Sequence, residues 1–197
     1  MKRFQYALLC SLAPVAASAA PLTVVNVGAP AINCVFNPTC TVTVTDSIGN
    51  FMLPGDTGNG RLQSRTFHGA PGAPAASLTG YDYRVDMTMM KAVTAQNCVV
   101  TLRLNFGLVA TLNYKPGVPS QLYVVTSGGL GSVGVSSADL TASGILTVHF
   151  TSGGVCPGAT SYFFGLASKD APMNSVASLG PSLGGASVDT EARTPKH

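Results

Sequence analysis

Charged residues at alternating positions are the chemistry this chain offers most openly. Asp82, Arg84 and Asp86 share one side of residues 81–89, while Tyr81, Tyr83, Val85, Met87 and Met89 make the other. Two carboxylates could do general acid–base work. Four residues along a strand, however, separate them by about 13 Å, against roughly 5 to 10 Å for a glycosidase pair. Arg84 between them favours two ionised carboxylates where a general acid must hold a proton. An ion-pair ladder is the expected role.

Residues 61–67 repeat the alternation, with Arg61, Gln63 and Arg65 on one side. Two guanidiniums flanking an amide can grip a carboxylate, sulfate or phosphate, which makes these three the candidate ligand-binding residues. The competing reading makes them a solvated polar face or cross-strand partners of Asp82 and Asp86.

Other chemistry is weaker. The nucleophile elbow of the α/β-hydrolases, a G-x-S-x-G on a strand-to-helix turn, is not expected in a chain that reads as all-β. His68, His149 and His197 are scattered, and a triad would need convergence that spacing does not reveal. Asp56-Thr57-Gly58-Asn59-Gly60 carries hard oxygen ligands but has Gly58 where an EF-hand needs another ligand, so a glycine-rich turn is expected. Gly129-Leu130-Gly131-Ser132-Val133-Gly134 matches a dinucleotide fingerprint in form. The Ser- and Gly-rich residues 135–144 after it lack the helical apolar period that such a loop requires, so a flexible loop is expected. Neither a cofactor nor a metal is expected.

The elements that position these residues read as strands. Gly and Pro (22 and 13 residues) break the chain at short intervals, and Val- and Thr-rich runs fill the gaps. Alternating or apolar runs at 22–27, 41–45, 61–67, 81–89, 98–106, 108–114, 121–126, 145–151 and 160–166 predict an all-β, single antiparallel β-sandwich of about eight or nine strands, with a closed barrel as the runner-up. The runs at 81–89 and 98–106 are expected to form a hairpin in which Met87 opposes Leu102 and Asp86 opposes Arg103, a register that avoids setting Arg84 against Arg103.

The N-terminus is leader-like. Lys2 and Arg3 precede an apolar stretch and Ala17-Ser18-Ala19, which predicts a signal peptide over 1–19. The β-sandwich domain is then 20–170, and the Ser-, Gly-, Pro- and Ala-rich residues 171–197 are expected to be a mobile low-complexity tail. Without the leader the chain holds nine Lys and Arg against eight Asp and Glu, so charge gives no support to a nucleic-acid partner. No apolar stretch of the mature chain is long enough to span a bilayer as a helix.

Cys10 leaves with the leader, and Cys34, Cys40, Cys98 and Cys156 remain. An even count in an exported chain without a CxxC pair predicts two disulfides rather than zinc. Asn37-Pro38 is a turn that can bring Cys34 to Cys40, which leaves Cys98 for Cys156. These readings converge on a secreted or periplasmic, non-catalytic module with a binding or structural role, its partner an anionic glycan or another surface protein. The alternative is a secreted hydrolase whose residues converge only in three dimensions.

Overall fold

Short runs of β-branched and aromatic residues, cut by glycine and proline, cannot build long helices, and in the computed structural model they pair instead. The structure describes residues 18–93 and 95–197. The expected leader therefore lies outside the described residues except for its last two positions. In chain order the elements are β1 (Ala20–Pro21), β2 (Val24–Gly28), α1 (Ala29–Phe36), β3 (Thr45–Phe51), β4 (Asp56–Thr57), β5 (Gly60–His68), β6 (Thr79–Asp86), β7 (Lys91–Ala92) and β8 (Val99–Asn105). There follow β9 (Leu112–Lys115), β10 (Val118–Ser120), β11 (Leu122–Ser127), β12 (Val135–Leu140), β13 (Ile145–Phe150), β14 (Phe164–Ser168), β15 (Pro172–Pro181) and β16 (Val188–Pro195).

Two six-stranded sheets make a sandwich, and no barrel closes. The first sheet runs β1-β12-β13-β8-β15-β16, and the second β2-β11-β14-β6-β5-β3. All pairs are antiparallel except β2 with β11. Alternate residues of both sheets meet in one core: Leu102 and Leu104 of β8 and Leu146 and Val148 of β13 face Tyr81, Tyr83 and Val85 of β6 and Phe164 and Leu166 of β14.

This arrangement corrects the expected hairpin. β6 pairs with β5 and β14, while β8 pairs with β13 and β15 in the opposite sheet. Asp86 opposes Arg61, and Arg103 opposes Thr147 and Ser178. The two apolar rows do face one core, but across it: the Tyr81 and Phe106 rings meet edge to face at 5.4 Å between centroids. Alternation reports which side of a strand is buried, and a row is satisfied equally by a neighbour in its sheet or by the sheet opposite.

Residues 171–197 are likewise not a mobile tail. β15 and β16 pair over eight registered positions and complete the first sheet beside β8. Their small residues suit a narrow place: Thr190 Oγ1 donates to the Asn50 carbonyl of β3 at 3.0 Å, and the Arg193 N–H donates to Ser64 Oγ of β5 at 3.0 Å. A side chain at Gly49 would collide with the Glu191 backbone. Poverty in large apolar residues here reflects close approach of two sheet edges.

Smaller differences share this origin. The strand expected over 41–45 begins at Thr45 instead, with Val44 exposed. The polar stretch 135–140 becomes β12 because β13 offers it a ladder, regular from Ser137 to Leu140 and bulged at Ser136.

The second sheet is covered on its outer face as well. Ile32, Val35 and Phe36 of α1, spaced as one helical face, pack with Val25, Tyr123, Val125 and Ala167. Pro30 in the first turn suits the helix start, and Asn37-Pro38 ends it. The Cys34–Cys40 disulfide then ties the last turn to the chain beyond. The second disulfide joins Cys98 to Cys156, so both expected pairings are present.

Candidate functional site

The outer face of the second sheet is half covered, and its candidate site lies where the cover stops. Beyond α1, the exposed strands β6, β5 and β3 present Asp82, Arg84 and Asp86, then Arg61, Gln63 and Arg65, then Asp46, all on one face. The three candidate ligand-binding residues are thus brought together, opposite the acids: Arg61 faces Asp86, Gln63 faces Arg84 and Arg65 faces Asp82. Two of them are already engaged. Arg65 Nε and Gln63 Nε2 both donate to Asp46 Oδ1, at 2.7 and 2.8 Å. The Arg65 guanidinium also lies 4.4 Å over the Phe163 ring, with that of Arg84 5.1 Å from it.

A cavity of ≈ 360 Å³ opens between this face and α1. Ile32 and Asn33 of α1 form one wall, Gly128, Gly129 and Leu130 another, and Arg65, Phe67, Asp82 and Phe163 the floor. Asp82 is the one carboxyl among the described residues lining it, and no histidine, serine or cysteine joins it there.

Asp82 is held from behind. The buried Tyr123 hydroxyl donates to its Oδ1, and Gly165, opposite Asp82 on β14, makes this meeting possible, because a side chain there would collide with both groups. Burial pushes the Tyr123 phenol well above its ordinary value, so it stays a donor. Burial also raises the Asp82 carboxyl to about 7, against the downward pull of the Tyr123 hydrogen bond and the Arg65 charge. Asp86, on the same strand face, goes the other way. Burial would raise it, but the Thr88 hydroxyl and N–H (2.6 and 3.0 Å) and the charges of Arg84 and Arg61 outweigh that. The expectation that Arg84 holds both acids ionised therefore applies to Asp86, 3.8 Å from Arg84, and not to Asp82.

The three histidines stay apart. His68 Nδ1 lies 3.2 Å from Thr79 Oγ1, and His197 Nδ1 3.0 Å from the Pro195 carbonyl. His149 Nε2 is 3.7 Å from Asp139 Oδ2 on the outer face of the first sheet. The neighbouring Ser136 hydroxyl donates to the His149 backbone carbonyl at 3.1 Å rather than meeting its ring. A Ser–His–Asp relay is not assembled among the described residues.

Sequence reasoning singled out Arg65, read Asp82 as part of an ion-pair ladder, and did not place Tyr123, Phe163 or the helix that walls the cavity beside them. One signal was available: Gly165 interrupts the apolar run 163–167, and glycine inside a buried strand marks a place where other atoms come close.

No protein-family model, no curated protein and no solved structure matches the chain.

Proposed function

We propose that this chain is an exported, non-catalytic module that binds a small acidic saccharide in the cavity beside α1. The observation that carries the reading is Asp82: a desolvated carboxyl, fixed by Tyr123, on the floor of a concavity. Its second oxygen is available to sugar hydroxyls. Arg65, backed by the Phe163 ring, supplies the positive partner for a ligand carboxylate. A single carboxyl without a second acid, base or nucleophile on the same wall favours holding over cleaving. Export is supported by the leader-like N-terminus and by the two disulfides, which persist in oxidising compartments. No helix among the described residues is long and apolar enough to cross a membrane.

The test is a backbone-amide NMR titration with uronic-acid oligosaccharides and their neutral counterparts. Shifts are expected at Asp82, Gly128, Gly129 and Phe163 with the acidic sugars only, and Asp82→Asn should weaken them at least tenfold. Shifts confined to other surfaces, or none, would overturn the reading.

A further inference from the structure

A second carboxylate lies outside that site and has no partner of its own among the described residues. Asp56 opens the short strand β4, on the loop joining β3 to β5, and is only 7% exposed. Neither of its carboxylate oxygens touches solvent or finds a hydrogen-bond donor among the described residues. None of the ion pairs among the described residues includes it, and Lys91, on the facing strand β7, opposes Thr57 instead and is solvent-exposed. Burial raises its carboxyl above the ordinary value. Burying an acid in this way is unfavourable unless a proton or a cation compensates it.

The surroundings favour the cation, because they are rich in oxygen and fixed in place. The Asp56 N–H donates to the Leu53 carbonyl (3.2 Å), Asn97 Nδ2 donates to the Pro54 carbonyl (3.2 Å), and Thr57 Oγ1 donates to the Lys91 carbonyl (3.4 Å). These bonds pin the turn against the chain that leads to Cys98, while both Asp56 carboxylate oxygens are closed off from solvent. We propose that Asp56 is the anionic ligand of a divalent-cation site of the calcium type, completed by main-chain and amide oxygens of residues 53–59. It is not an EF-hand, whose second ligand position is occupied here by Gly58. Hard oxygen donors select calcium or magnesium over zinc or copper. A single carboxylate places the affinity among the weak sites of extracellular modules, with Kd on the order of 10⁻⁴ to 10⁻³ M.

The experiment is thermal unfolding and isothermal titration of the chelator-treated protein with CaCl₂, MgCl₂ and MnCl₂, for the parent and for Asp56→Asn. At 10 mM calcium the parent Tm should rise by about 3 to 10 °C, the shift that linkage gives for a tenfold to hundredfold excess over Kd in a chain of this size. EDTA should reverse it, and the titration should give one site per chain. Asp56→Asn should lose the response, while Asp82→Asn should keep it. A parent indifferent to all three cations overturns the proposal without needing any variant to fold. An equal response in Asp56→Asn overturns it too, as does a variant more stable than a cation-indifferent parent, which would mark Asp56 as a protonated buried acid.

Discussion

Asp82 and Asp86 show how little a residue's type says about its charge. They stand on the same face of β6, yet burial lifts one to about 7 while Thr88, Arg84 and Arg61 hold the other below its ordinary value. The consequences for stability have opposite signs. Between roughly pH 4 and 7 the native chain keeps on Asp82 a proton that the unfolded chain releases, so this group's contribution falls as pH rises through that window. Asp86 contributes stability that is present above its ordinary pKa and lost as pH falls below it. Asp82→Asn should therefore flatten the decline of Tm between pH 4 and 7 and exceed the parent's Tm at pH 8, as a scan across buffers would show. A steeper decline in the variant would contradict the assignment. Gly165→Ala, which drives a methyl between Asp82 and Tyr123, should cost about 1 to 3 kcal/mol in denaturant unfolding. At this scale the sequence exposed the charged residues and their alternation. The desolvation of Asp82 was hidden, because it depends on Tyr123, which lies 41 residues away and joins the site only once β11, β14 and β6 are side by side.

Elements were legible in proportion to how locally they are determined. β13 reads directly from Leu146, Val148 and Phe150 against Thr147 and His149, and β5 from its own alternation. Partner choice was not legible, since the rows of β6 and β8 point into a shared core from opposite sheets. β15 and β16 escaped notice because close sheet contact replaces large side chains with Ala177, Ala192 and Thr190. They are integral to the sandwich all the same. The Tyr83 hydroxyl, from the opposite sheet, donates to the Arg193 carbonyl of β16 at 2.6 Å, and Tyr81 donates to the Asp170 carbonyl at 2.7 Å. A chain ending at residue 171 should lose cooperative unfolding and expose buried tyrosine, measurable by near-ultraviolet circular dichroism. A truncated protein that kept the parent's spectrum and Tm would refute this. The Cys98–Cys156 bridge, with a sequence separation of 58, fixes the start of β8 to the chain beyond β13. Replacing both cysteines with alanine should cost about 2 to 5 kcal/mol.

At the scale of the molecule, the chain's early and late segments both sit at the sandwich edges. β1 pairs with β12 in one sheet and β2 with β11 in the other, so one short stretch straddles both layers. Across the sandwich, β16 lies against β3, the edge strand of the second sheet. Both sheet margins are therefore shielded by chain from the opposite layer, which limits strand-to-strand association between molecules. The same feature sets a timetable. β2 must find β11 nearly a hundred residues away, and the centre of the first sheet waits for β15 to pair with β8. Such distant pairings place folding in the slow range, milliseconds to seconds. A newly made chain can form the β5–β6 hairpin as soon as it emerges, but the first sheet cannot be completed until β15 and β16 are free, so the core that the two layers share closes only when the chain is almost whole.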